Sequence, residues 1–339
     1  MSFKNLKQFT NRLAGVATLL TLTLLPGIAS AQLKGAGATF PAPIYTKWFA
    51  DFQKTTNTSV DYQAVGSGKG IGAIKDKTVD FGASDAPLTS AEEASMPGPV
   101  VHIPTVGGAV VLTYNLPGAP NGLQFTPQII GGIFLGQIKN WADPQIKAAN
   151  PGKNLPATAI LPVTRTDGSG TTYIFTNYLK KAFPGWASVG AGKSVNWPTG
   201  QGGKGSAGVS ATVRRTVGAI GYVELAYAIE NKLPYGAVKN RAGKFIMPSV
   251  ESTTAAIEQY VPQLKHDIKT PTVDATGPNS YPICSLTYIL LYRQGGAKAA
   301  KLWSWAMAPA QQNDAKALFY APLPTALMQI NLATLKSLQ

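Results

Sequence analysis

Apolar and polar positions alternate along this chain in a way that predicts strand, turn and helix in repeated succession. Ile44, Trp48 and Phe52 recur every four residues and mark one face of a helix, with Pro41 suited to its first turn. Val60–Val65 reads as a strand, Gly66–Gly70 as a turn, and Ile71 and Ile74 as the start of a second helix. Val79–Pro87 is a short strand running into a loop. Thr89-Ser90-Ala91-Glu92 beyond it has the spacing of a capping box. Val100–Ile103 and Ala109–Tyr114 are strand-like runs around Pro104–Gly108, and Thr126-Pro127 caps a helix to about Phe134. Ile160–Val163 is a strand, and Ile174, Phe175, Tyr178 and Leu179 stand at helical spacing after it. Ala219–Val223 reads as a strand, Glu224–Asn231 as a helix, and Val250–Val261 as another helix with Ser252 as its cap. Asp274–Asn279 is a loop, and Ile283–Tyr292 a long strand. Helices then run over Ala297–Met307 and about Thr325–Leu338. Strand–helix alternation over this length predicts an α/β fold with mainly parallel sheets.

In such folds ligands gather where strands end and helices begin. Four such junctions here are short on bulk and rich in donors: Thr39-Phe40, Ser67, Ser84-Asp85 and Arg165–Thr171. The last is the richest. Gly168 and Gly170 let backbone approach a ligand closely, and Ser169, Thr171 and Thr172 add hydroxyls. The first N–H groups of the following helix lack internal partners and carry the positive end of its dipole. Arg165 adds a forked permanent charge suited to an oxyanion. The stretch therefore reads either as an anion site or as a capped helix start with Arg165 and Asp167 as a surface pair. Asp85 has the same two readings, a turn cap or a group free for other work.

The N-terminus changes the picture of where the protein works. Lys4, Lys7 and Arg12 precede an apolar run from Leu13 to about Ile28, and Ala29-Ser30-Ala31 follows as a small-x-small pattern. Residues 1–31 read as a secretory signal peptide, its apolar run being shorter than the roughly 20 residues a membrane span needs. The formal charge is +14, and losing those three cations leaves 14 − 3 = +11. The basic residues are dispersed, so the charge hints at anionic surroundings and nucleic acid is not expected as a partner. Cys284 is the sole cysteine and reads as a small buried hydrophobe. His102 and His266 cannot build a zinc site of familiar spacing. Neither metal nor cofactor is expected. Lys69 is followed by Gly70 rather than Ser or Thr, which rejects a P-loop, and the Gly68/Gly70 spacing only loosely imitates a dinucleotide fingerprint.

Gly35–Pro43, Val79–Leu88 and Thr166–Thr171, with Gly202–Gly205 and Gly218–Glu224, resemble in order the phosphate-binding proteins that serve bacterial high-affinity phosphate ABC transporters. The resemblance implies a two-domain periplasmic-binding-protein fold, with phosphate in the cleft between the domains. It implies contacts from Thr39, the Phe40 N–H, Ser67, Asp85, Arg165, Ser169, Gly170 and Thr171, with Asp167 supporting Arg165. It also implies domain I from 32–105 and 281–339, domain II from 106–280, a monomer in the periplasm, and delivery to membrane permease subunits. The family usually has a Ser-Ser-Gly-Gly turn where this chain has Ser67-Gly68-Lys69-Gly70, which places a cation nearby. A binding protein rather than an enzyme is expected, because neither Ser67 nor Ser169 has a histidine or metal cluster beside it in sequence. The competing readings are an exported phosphatase or phosphotransferase, and a basic surface protein that binds anionic polymers.

Overall fold

The computed structural model describes residues 32–339, so the signal peptide read at 1–31 lies outside the described residues. Among the described residues there are eleven strands: β1 Gln32–Gly37, β2 Ser59–Ala64, β3 Phe81–Ser84, β4 Val100–Tyr114, β5 Gln124–Phe125, β6 Leu161–Arg165, β7 Gln201–Gly203, β8 Ala219–Glu224, β9 Ala237–Lys239, β10 Phe245–Ile246 and β11 Cys284–Tyr292. Eight of them form one sheet in the order β2-β1-β3-β11-β4-β8-β6-β7, and β10-β9-β5 form a small second sheet. The large sheet is parallel at both ends, where β1 pairs with β2 and β3, and β6 with β7 and β8. Its middle is antiparallel: β11 pairs with β3 and β4, and β4 with β8.

The long strand β4 joins the two ends. Val100–Ala109 pairs with β11 and Val110–Tyr114 with β8. The two strand runs expected around Pro104–Gly108 are thus one continuous strand. Tertiary packing overrides the local turn signal there. Pro104 lies opposite Tyr288 at a register shift, and Gly107 and Gly108 face Leu286 and Ser285. A Cβ on Gly107 would meet Ile257 at 2.1 Å, and one on Gly108 would meet the Phe40 ring at 2.5 Å. These glycines are sites of close packing rather than of a turn.

Other boundaries differ for equally local reasons. The helix after β2 begins at Ser67, so Gly68 and Gly70 sit in its first turn. The helix Val250–Glu258 is capped by Ser249; Ser252 is the reciprocal member of that capping box. A separate helix, Val261–His266, follows, and Pro309–Ala317 is a helix that the sequence pattern did not mark. The Thr89/Glu92 capping box and the Thr126 cap stand as read. Cys284 is fully buried, which pushes its thiol up to about 12.

The core is continuous across the sheet. Tyr45, Phe49, Phe81 and Trp303 cluster on one end of it, with ring centroids 5.2–6.0 Å apart for the contacting pairs. At the other end Phe175 stacks on Tyr222 at 4.4 Å and Phe134 packs against both. Tyr222, itself fully buried, links this packing to the end of β6. Its hydroxyl accepts the Arg165 N–H at 3.2 Å and lies 2.7 Å from Thr172 Oγ1. Burial of these rings therefore fixes the end of β6 and the start of the next helix.

Candidate functional site

β1 and β3 run opposite to β6 in the sheet, so their carboxyl ends face one another near the middle of β4, and the residues singled out in the sequence lie at or just beyond those ends. Helix Gly170–Ala182 has Ser169 as its N-cap, whose Oγ accepts the Thr172 N–H at 3.0 Å. The Ser169 N–H is held by the Lys193 carbonyl at 2.8 Å. The turn is thus tied at both ends.

Helix Ser67–Lys75 opens against this turn. Gly68 N–H donates to the Gly168 carbonyl at 2.8 Å, and Ser67 Oγ accepts the Gly170 N–H at 3.1 Å. The same Ser67 oxygen accepts the Asp85 N–H at 3.3 Å. One hydroxyl therefore joins three of the junctions. Glycine is required for the fit. Gly66 has φ 98°, and a Cβ on it would meet Asp167 Oδ2 at 2.2 Å. A Cβ on Gly170 would sit 2.5 Å from Asp85 Oδ2 and 2.6 Å from Ser67 Oγ.

Arg165 is buried, and its guanidinium is bound by Asp167 through Nε at 2.8 Å and through Nη2. Nη1 donates to Thr171 Oγ1 at 3.3 Å. Asp167 Oδ1 also accepts the Gly205 N–H at 2.9 Å. Burial alone would push the Asp167 carboxyl up, but Arg165 and the backbone donors hold it below its ordinary value. The surface-pair reading of these residues is corrected: the side chains are 1% and 7% exposed.

Asp85 is 1% exposed, and its Oδ1 accepts the Thr287 hydroxyl at 2.8 Å. Burial pushes its pKa up to about 7, against the opposing pull of the Thr287 bond and of Arg165. It caps no helix. The capping work nearby is done by Thr89 for the next helix.

Thr39 and Phe40 complete the group. Thr39 Oγ1 lies 2.9 Å from Ser206 Oγ and accepts the Ser206 N–H at 3.2 Å. The Phe40 ring is fully buried, its carbonyl accepts the Tyr320 hydroxyl at 2.7 Å, and its N–H makes no hydrogen bond among the described residues. Ser67 is therefore joined directly to Asp85 and Gly170, and Arg165 to Thr171, while Thr39 is bonded to Ser206 and Tyr227. Ser169 enters as the cap that shapes the turn. Lys69 is exposed, one helix position beyond Gly68.

Sequence reasoning missed Ser206, Tyr227, Tyr222 and Thr287. Ser206 stands just after the Gly202–Gly205 segment that carries part of the resemblance. Tyr227 and Thr287 reach the site through contacts with Thr39 and Asp85 that span 188 and 202 positions. No local pattern marks a pair so distant. The sequence reading of Glu92 gave it only a capping role, but it also pairs with Lys193 at 2.8 Å, tying the loop behind Ser169 to the helix after Asp85.

With this geometry in place, comparison with known proteins places the chain among relatives. A family model described as PBP superfamily domain matches residues 26–309. The phosphate-binding protein PstS of Haemophilus influenzae is 42% identical over 313 residues, covering 90% of this chain and 93% of that protein. The protein of the same name from Methanocaldococcus jannaschii is 38% identical over 329 residues, covering 88% and 84%. Among solved structures, a high affinity periplasmic phosphate-binding protein bound with phosphate matches with a TM-score of 0.72 at 22% identity, covering 89% of this chain and 93% of that one. The phosphate-binding protein from Stenotrophomonas maltophilia matches at 0.68 with 21% identity over the same shares. At these identities the structural matches speak for the fold.

Proposed function

The chain belongs to the PBP superfamily, and within it to the phosphate-binding proteins named PstS; from that premise we propose that it binds inorganic phosphate and delivers it to the permease of an ABC importer. The observation that carries the reading is the union of a buried carboxyl, Asp85, with the donor-rich Arg165–Thr171 turn through Ser67. A carboxylate has no use in a general anion site, since like charges about 4 Å apart repel by about 4 kcal/mol at an effective dielectric near 20. It has a use if the ligand brings a proton for it to accept. Phosphate near neutral pH carries at least one and sulfate carries none.

In this reading Thr39, the Phe40 N–H, Ser67, Ser169 and Thr171 supply donors, as does the Gly170 N–H once the ligand replaces Ser67 Oγ as its acceptor. Arg165, held flat by Asp167, supplies the fork, and Asp85 supplies the single acceptor. Domain I comprises 32–105 and 281–339, and domain II 106–280. β4, which straddles 105/106, and the chain entering β11 are the crossing segments about which the two lobes close. The protein acts as a monomer in the periplasm after loss of residues 1–31. No helix among the described residues is long and apolar enough to cross a membrane.

The reading is of a binder rather than a phosphatase. Ser67 Oγ is occupied as an acceptor of two backbone N–H groups, and Ser169 Oγ as a helix cap. A nucleophilic serine needs instead a base that takes its proton. Calorimetric titration of phosphate, arsenate, sulfate and a phosphate monoester into protein stripped of ligand tests the proposal. Phosphate and arsenate are expected to bind, sulfate and the monoester not. Turnover of the monoester, or equal binding of sulfate, would sink it.

A further inference from the structure

Hydrogen bonds converge on Thr39 from residues that follow it by 167 and 188 positions. The Tyr227 hydroxyl donates to the Thr39 carbonyl at 2.6 Å. Ser206 engages the Thr39 hydroxyl through both its N–H and its Oγ, at 3.2 and 2.9 Å. The Thr39 carbonyl and the Phe40 N–H are opposite ends of one planar peptide group. A donor on the oxygen fixes the plane of that group and polarises the N–H at its other end.

Tyr227 is itself held in place. It lies in helix Leu225–Glu230, whose N-cap is Glu224; the Glu224 carboxylate accepts the Ala226 N–H at 2.6 Å. Glu224 is fully buried, pairs with Val110 in β4, and leaves its Oε1 without a partner among the described residues. A line of contacts thus runs from the crossing strand through Glu224 and Tyr227 to the Thr39–Phe40 peptide. Burial, and next the Glu224 carboxyl, push the Tyr227 phenol far above its ordinary value, so its hydroxyl stays a donor.

We propose that Tyr227, seconded by Ser206, is a positioning residue that locks the Thr39–Phe40 peptide as the lobes close and thereby governs release of the bound oxyanion rather than its capture. The proposal rests on the phosphate-binding reading and its two-lobe division. Tyr227 and Ser206 fall in 106–280 and Thr39 in 32–105, so these bonds exist only with the lobes together. Removing them leaves the open protein unchanged and weakens only the closed one.

The test is stopped-flow binding of inorganic phosphate to the wild type, Tyr227→Phe, Ser206→Ala and Arg165→Ala, with melting of each ligand-free protein. The loss of one net hydrogen bond corresponds to about a two- to tenfold change. Tyr227→Phe is expected to raise the dissociation rate by about that factor. Its association rate should stay within about twofold of the wild type, and its ligand-free melting temperature should not move. Ser206→Ala should act in the same direction. A Tyr227→Phe protein with the wild-type dissociation rate overturns the proposal. So does one whose association rate falls as much as its dissociation rate rises, or whose ligand-free stability drops, since those are marks of a merely structural hydroxyl. If the wild type fails to bind phosphate, the functional reading falls and the latch with it. If the wild type binds, Arg165→Ala does not and Tyr227→Phe matches the wild type, the latch alone falls.

Discussion

The wall that runs from Arg165 to Thr171 neutralises its own charge, while the wall made by Thr39, Ser67 and Asp85 leaves its charge unsettled. Arg165 is matched by Asp167 at hydrogen-bond distance, and that carboxyl is held below its ordinary value. Asp85 has no cation in direct contact among the described residues; it has the Thr287 hydroxyl, and burial pushes it up to about 7. Counting Arg165, Asp167 and Asp85 together, the site is not a net positive trap. On the proposed reading its attraction for an anion comes from N–H groups, hydroxyls and the guanidinium, which act at short range and with direction. On that same reading the difference between the walls places affinity and selectivity in separate hands: one wall would supply fixed donors, and the other a single group whose proton decides which oxyanion fits.

The largest expected effect comes from breaking the pairing of the first wall. Removing one partner of a buried ion pair typically costs about 3–5 kcal/mol, because the other is left charged and unmatched. Arg165→Ala is therefore expected to lose stability on that scale, read by chemical denaturation, and to lose phosphate binding. Adding Asp167→Asn should recover part of the stability but none of the affinity. If the double variant regains binding, Arg165 serves structure alone. Arg165→Lys keeps the charge and loses the fork, and should fall between the wild type and Arg165→Ala.

The next effect tests whether the walls must touch. Gly170→Ala places a Cβ 2.5 Å from Asp85 Oδ2 and 2.6 Å from Ser67 Oγ. Overpacking of this kind costs about 1–3 kcal/mol. Here it is felt only when the walls meet, so the affinity should fall by about ten- to a hundredfold while the ligand-free melting temperature holds or rises, alanine being the better helix former. Affinity equal to the wild type would mean that the two walls come together less closely in the liganded protein.

A smaller, pH-dependent effect isolates Asp85. Its pKa in the fold is raised from 3.8 to about 7. A group raised in this way favours the folded state fully below its unfolded value, and that contribution is lost as the pH climbs from about 3.8 to about 7. Asp85→Asn should therefore gain stability over the wild type at pH 8 and not at pH 3.5, provided both are ligand-free. Selectivity moves with the same proton. Above about 7 the carboxylate can only accept, and sulfate has nothing to offer it. Below that pH the carboxyl carries its own proton and can donate to a sulfate oxygen. The phosphate-over-sulfate ratio should rise with pH in the wild type and stay flat and narrower in Asp85→Asn. Competition titrations at pH 5.5 and 8.5 decide it; parallel profiles for the two proteins would return Asp85 to a structural role.

These two walls were unequally legible in the sequence. Arg165–Thr171 shows itself because strand, glycines, hydroxyls and helix follow one another without a gap, and the physics of a helix start is local. Asp85 shows itself only as a residue that capping did not need. What makes it unusual, burial beside Ser67, Thr287 and Gly170, depends on contacts made across the whole chain. The same division holds for the fold. The strand–helix alternation and most element centres follow from periodicity. The continuity of β4 through Pro104–Gly108 does not, because it is imposed by pairing with β11 and by the pressure of Ile257 and Phe40 on two glycines. Tyr227 had no local signature at all, since a tyrosine at helical spacing reads as core.

The smallest effect concerns Lys69, where this chain departs from the usual turn of its family. It sits two residues after Ser67 in the first turn of helix Ser67–Lys75, and it is exposed. A cation at a helix N-terminus opposes the dipole, at a cost of about 0.3–1 kcal/mol at low ionic strength. The same charge draws an approaching anion, but an exposed charge is screened over about 8 Å at physiological salt. Lys69→Gln should therefore slightly stabilise the ligand-free protein. It should slow phosphate association by no more than about twofold at low salt and leave it unchanged at 0.15 M. The dissociation rate should not change, because that rate belongs to the buried contacts of the two walls. An increase in dissociation rate on losing Lys69 would bring its side chain into the site and give the second wall a cation of its own, and the contrast between paired and unpaired charge would then have to be withdrawn.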